Sequence, residues 1–185
     1  MNDTDPFAGR QLDALTQDEA RAVLERFLEL GRSSFSHVEA LTSAEGFTLD
    51  FTLASAARLI RAAAKQIKFG FKPLSDDTPQ WIRDSPIHRE GEVVFDEASC
   101  VWILRVGYYL GESFVRTFPV LKWNVGHPDF AFCNMPVVAG FLHKKELPPL
   151  VVTENIYVRV LARGKGEDHF GSSIEHWRKS VPGQT

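Results

Sequence analysis

The segment Asp96 to Trp123, DEASCVWILRVGYYLGESFVRTFPVLKW, constrains the fold more than any other part of the chain. Asp96 suits a helix N-cap and Pro119 forces an end near Phe118, so the pattern predicts a buried helix followed by a strand. Val101, Leu104, Tyr108, Gly111 and Val115 share one side, and Ile103, Val106, Leu110 and Phe114 another. A helix apolar almost all round must be enclosed by other elements. Gly107 and Gly111 each cost about 1 kcal/mol relative to Ala in a helix interior. Their i,i+4 spacing allows another backbone to approach closely, which offsets that cost.

The polar residues of this helix form a stripe. A turn of about 100° per residue brings Arg105, Glu112 and Arg116 within roughly 40° of one another, with Tyr109 on the same side. Two readings follow: a structural ion-pair network, which buried charges favour, or the wall of a polar cleft. Glu112 is the best acid/base candidate in the chain, since burial would raise its pKa, although Arg105 and Arg116 oppose that shift.

Upstream, Thr16 and Glu19 form a capping-box pattern. A helix is expected from there to about Leu30, with Ala20, Val23, Leu24, Phe27 and Leu28 as its buried stripe and Gly31 at C′. Residues 1–15 read as a loose leader and 16–185 as a single domain. A short helix is expected over Phe35 to Leu41. Another should run from Leu53 to about Phe69, with Arg58, Arg61, Lys65 and Lys68 as a solvated basic face. The connector 74–92 contains Trp81 and Ile82, which mark either a lid or partner surface or a simple anchor to the core.

After Pro119 the pattern changes to short extended runs: Val120 to Val125, Phe130 to Cys133 and Pro136 to Leu142, with a turn at Gly126 to Asp129. These predict an antiparallel meander, with Leu150 to Val152 as a further short strand. Residues 154–163 fit either a helix capped by Thr153 or a strand. Ser172 to Val181 should form a terminal helix with Ile174 and Trp177 facing inward. The expected class is α+β, with the N-terminal and central helices packed on a small, mainly antiparallel sheet and a C-terminal helix completing it.

The chemistry-bearing motifs are sparse. The net charge of −3 gives no electrostatic reason to expect nucleic acid. Cys100 and Cys133 lie in apolar runs and read as buried thiols of a reducing compartment. The N-terminus lacks the basic and apolar regions of a secretory signal, and Val101 to Leu110 is too short and too charged for a membrane span, so a cytoplasmic protein is expected. His127 and Asp129 flank Pro128 in a turn, but no pair among the six histidines has zincin spacing, and neither metal nor cofactor is expected. Neither a nucleophile elbow nor a phosphate-binding loop is present, which inclines the reading away from an enzyme.

Gly107-Tyr108-Tyr109-Leu110-Gly111-Glu112, followed by Phe114-Val115-Arg116 and Trp123, resembles a pattern in several uncharacterised families of small bacterial α/β proteins. In these a Gly-x-Tyr-x-Gly-Glu helix leads into a hairpin carrying a Trp, and some are similar to immunity proteins encoded beside secreted toxins. The resemblance covers residues 49 to 152. It implies an α+β fold more strongly than any activity; taken with the sparse chemistry it points to a cytoplasmic protein-binding module, an immunity-type inhibitor of a bacterial toxin among the forms this takes, of undetermined oligomeric state. The candidate binding residues are Arg105, Tyr109, Glu112, Arg116, Trp123 and His127. The alternative is a small-molecule-binding protein or enzyme with a polar cleft lined by Arg105, Glu112, Arg116 and His127.

Overall fold

The computed structural model describes residues 12–83 and 90–184. Helices α1 (Gln17–Ser33), α2 (Phe35–Ala44) and α3 (Leu53–Ala63) come first, followed by strand β1 (Phe69–Lys72), the single turn α4 (Gln80–Arg83) and strand β2 (Glu92–Phe95). Helix α5 (Glu97–Thr117), strands β3 (Lys122–Val125) and β4 (Pro136–Ala139), and helices α6 (Pro149–Tyr157) and α7 (His169–Arg178) complete the order. The class is α+β. Its strands form two separate antiparallel hairpins, β1–β2 and β3–β4, instead of one sheet.

Helix α5 is the element around which the others pack, with α6, α3 and α1 against it. The Asp96 carboxylate caps it by accepting from Ser99 N–H at 2.8 Å, and Phe118 ends it just before Pro119. Val106, Tyr109, Leu110 and Phe114 join Leu59, Ile60, Ile156 and Tyr157 in the main core, while Leu104 and Tyr108 form a smaller cluster with Phe27. Gly107 admits another backbone as expected, whereas Gly111 makes room for side chains. A Cβ at Gly107 would lie 3.3 Å from Leu150 Cα, and one at Gly111 would lie 2.1 Å from the Trp123 ring.

Helix α1 begins with the capping box, Glu19 N–H donating to Thr16 Oγ1 and Thr16 N–H to the Glu19 carboxylate. It does not stop at Leu30. Gly31 lies inside it, buried beneath the Tyr108 ring, which a Cβ would meet at 2.1 Å, so this glycine makes room and does not terminate the helix. Leu12–Ala14 forms a 3-10 turn ahead of it, and Asn134 Nδ2 donates to the carbonyls of Leu12 and Leu15 at 2.8 and 3.0 Å. The part of the expected leader within the described residues is therefore held against the body.

Helix α3 is shorter than its apolar period suggests. The chain tightens to a 3-10 turn at Ala64–Gln66, becomes extended at Ile67 and enters β1, so Phe69 is in a strand. Two interactions favour this ending: Lys68 N–H donates to Ser99 Oγ at 2.7 Å, and Phe69 pairs with Phe95 across the ribbon. Arg163 braces the same ribbon, donating to the Gly91 carbonyl at 3.2 Å with its guanidinium over the Phe71 ring. Residues 84–89 and the Trp81 and Ile82 side chains, on which the lid or partner-surface reading falls, lie outside the described residues.

The meander reduces to one hairpin. Trp123 pairs with Val138, and the ladder closes where Gly126 N–H donates to the Met135 carbonyl at 2.8 Å. Phe130 to Cys133 consists of turns, because Asn134 takes a left-handed conformation (φ 61°) and its N–H bonds back to the Gly126 carbonyl. Leu150 to Val152 belongs to α6, with Pro149 in the first turn, and Thr153 is inside the helix instead of capping it. The segment after it stays helical, widening into a π turn over Val158–Ala162. In α7, Ile174 is buried, and Trp177 packs edge-on against Phe141 at 5.2 Å. The thiols also differ from expectation: Cys100 is exposed and Cys133 half-buried, and the two are not joined in a disulfide. Among the described residues no helix is long and apolar enough to cross a membrane.

Candidate functional site

The polar stripe of α5 separates into distinct environments. Both oxygens of Glu112 are engaged: Arg116 Nε donates to Oε1 at 2.8 Å and Trp123 Nε1 to Oε2 at 3.0 Å. A carboxylate held on both sides in this way is a structural anchor between α5 and β3, poorly placed to exchange a proton with a ligand. Arg105 is not part of this network. Its guanidinium lies 5.0 Å from the Trp102 ring, its Nε is buried without a hydrogen-bond partner among the described residues, and burial lowers its pKa. His127 lies in the β3–β4 turn, its backbone N–H donating to Glu146 and its Nδ1 accepting from Asp129 N–H at 3.2 Å. Four cavities of about 310 to 540 Å³ among the described residues are lined by other side chains, so Arg105, Glu112, Arg116 and His127 are not brought into any of these four.

Tyr109 faces the opposite way from the cleft reading. It is buried, its hydroxyl accepts from Phe51 N–H at 2.7 Å and meets Ser55 Oγ at 2.7 Å, and burial raises its pKa. Its ring stacks on Phe51 at 4.7 Å, and Arg116 covers Phe51 at 3.6 Å. Phe51 itself has φ 57°, a conformation costing roughly 1–3 kcal/mol for a bulky side chain. The Tyr109 hydroxyl and these ring contacts hold it there. Arg116 thus links Glu112 to Phe51, and the α5 stripe serves the entry into α3.

That entry carries a carboxylate the stripe does not predict. Asp50 Oδ1 accepts from Thr52 N–H at 2.9 Å and Thr52 Oγ1 at 2.7 Å, and Thr52 caps α3. The Ser55 side chain, ahead of these Thr52 bonds, holds the Asp50 carboxyl down to about 2. The folded value is below the unfolded one of about 3.9, so this contribution to stability is present above about pH 4 and is lost as pH falls towards 2. Asp50→Asn should therefore flatten the acid limb of stability. Urea midpoints for both proteins between pH 6 and pH 2.5 check this, and parallel curves would contradict it. A cap signal for this site is present in sequence, since Asp50 and Thr52 directly precede the apolar period of α3.

The surface feature that sequence periodicity left unread is the β1–β2 ribbon. Phe69, Phe71 and Val94 are 38%, 39% and 39% exposed and lie together on this ribbon, whereas the other exposed large apolar side chains among the described residues, Val120, Phe130 and Leu142 at 51%, 41% and 42%, belong to other segments. Phe69 and Phe71 touch edge to face at 5.8 Å. Among the described residues neither strand has a second neighbour, so both outer edges present free backbone groups. The sequences FGFK and EVVF carry the aromatic and β-branched enrichment of strands, but the connector between them hides their pairing. Among the described residues no group of three or more His, Cys, Asp or Glu side chains is placed to hold a metal ion. Compared with known protein families, curated proteins and solved structures, the chain matches none.

Proposed function

We propose that the chain is a cytoplasmic protein-binding module whose contact surface is the β1–β2 ribbon. The observation that carries this reading is the exposed pair Phe69 and Phe71 on a two-stranded ribbon with unpaired edges. Such an edge offers main-chain hydrogen bonds to an extended partner segment, and aromatic anchors supply affinity. Arg163 beneath Phe71 holds the ribbon in place, which reduces the ordering cost of docking. Cys100 and Cys133, which are not joined in a disulfide, suit a reducing compartment. Inhibition of a toxin, implied by the helix-to-Trp-hairpin pattern, is the narrower form of this function.

A partner isolated with the wild-type chain and then purified should bind it directly. Phe69→Ser/Phe71→Ser should weaken that binding by at least about 100-fold, since each aromatic hot spot contributes about 2 kcal/mol or more. Circular dichroism establishes that the double variant is folded. Undiminished binding by the folded variant would remove the ribbon from the interface. For the narrower form, equimolar chain should abolish the activity of a toxin encoded beside it.

A further inference from the structure

A second region of the molecule has the composition of a ligand site. One face of α7 carries His169, Ser172, Ser173 and His176 at i, i+3, i+4 and i+7, and these line a cavity of about 420 Å³. Asn155 of α6 and Arg159 of the π turn line the same cavity. All six are capable of donating hydrogen bonds, and no carboxylate is among the lining residues. Arg159 is exposed and makes no ion pair among the described residues.

The neighbouring cavity, of about 470 Å³, shows why the missing carboxylate matters. Arg58, Arg61 and Lys65 line it, but Arg61 lies 3.5 Å from Glu167, Lys65 is 2.8 Å from Glu45, and the Arg58 guanidinium covers the Phe47 ring at 4.3 Å. Two of its three cations already have counter-ions within the chain, and the third is engaged by a ring. In the α7 cavity the positive charge of Arg159 has none among the described residues.

The π turn separates the two cavities. Val160 and Leu161 line the first, whereas Arg159 lines the second beside Asn155 and Ile156. A π turn inserts a residue into the helical repeat and re-aims the side chains that follow, and such turns recur at functional sites. Here the backbone widening is closed by Lys165 N–H donating to the Arg159 carbonyl at 2.9 Å. Trp177 supplies the apolar wall, its ring fixed by Phe141 at 5.2 Å and flanked by His176.

We propose that this cavity binds a phosphate group carried by a small molecule with a flat ring. The Arg159 fork takes two phosphate oxygens, the imidazole and hydroxyl donors of α7 take the others, and the ring lies against Trp177. The volume is within the roughly 300–1,000 Å³ of small-ligand sites. The assignment concerns a different part of the chain from the ribbon and stands independently of it.

Calorimetric titration of the full chain at low ionic strength with inorganic phosphate, phenyl phosphate and adenosine 5′-monophosphate tests the proposal. At least one of the two organic phosphates should bind 10-fold or more tightly than inorganic phosphate. Arg159→Ala and Ser173→Ala should each weaken that binding, the former by at least 10-fold, with unchanged thermal midpoints showing that both variants fold. Arg159→Lys should recover only part of the loss, and Arg61→Ala in the neighbouring cavity should have no effect. Absence of binding by all three probes overturns the proposal, as does undiminished binding by Arg159→Ala. Equal affinity for inorganic phosphate and both organic phosphates overturns the assignment of a ring.

Discussion

Trp123→Ala should destabilise the protein by about 3 kcal/mol, the lower end of the range for deleting a large aromatic, because the side chain is only partly buried. The indole joins two regions of the core. It meets Phe27 edge-on at 5.6 Å, stacks on Tyr108 at 6.3 Å and fills the notch over Gly111. Its removal also takes away the Nε1 donor to Glu112, leaving that carboxylate to Arg116 alone. Trp123→Phe separates the two contributions. It keeps most of the ring contacts and loses the charge-assisted hydrogen bond, so it should cost roughly 1.5–3 kcal/mol. Urea unfolding with an unchanged m-value measures both. A loss below about 1 kcal/mol for the alanine variant would show that the hairpin is not anchored through this ring.

The contrast between Glu112 and Arg105 shows what the sequence can and cannot convey. Arg116 is one helical turn from Glu112, so their pairing follows from the repeat alone. Arg105 is about two turns away, roughly 10 Å along the axis, so a shared angular face does not bring the two side chains together. Trp123, which completes the Glu112 site, lies beyond Pro119, and only the return of β3 across α5 places it there. His127 goes elsewhere because the β3–β4 turn binds it to Glu146 and Asp129.

The same division applies to the elements. Local signals at Thr16, Asp96 and Pro119 set helix boundaries that the structure retains, since a cap or a missing N–H acts within a few residues. The end of α3 and the β1–β2 ribbon depend on pairing across a long connector, and residues 65–72 satisfy both a helical and an alternating pattern. Leu150 to Val152 has strand-like composition, yet Pro149 and packing beneath Gly107 place it in a helix. The six donors of the α7 cavity come from three consecutive segments whose faces are visible only once α6, its π turn and α7 have docked.

Gly111→Ala provides a sharper test of the packing because local propensity and tertiary structure predict opposite signs. In an isolated helix the substitution would stabilise by about 1 kcal/mol. In this protein the new Cβ would lie 2.1 Å from Trp123 Cη2 and 2.9 Å from Pro149 Cγ, so the indole must move and α6 must give way. Overpacking of about 3 kcal/mol outweighs the propensity gain, leaving a net destabilisation of about 2 kcal/mol. The closest contact is the indole, so the effect should depend on it. In a Trp123→Ala background, the added methyl enters vacated space and Gly111→Ala should become neutral or stabilising, giving a coupling energy of about 2 kcal/mol in the double-mutant cycle. An equal loss in both backgrounds would place the conflict at Pro149, and the close approach between α5 and β3 would then contribute nothing to the choice of glycine.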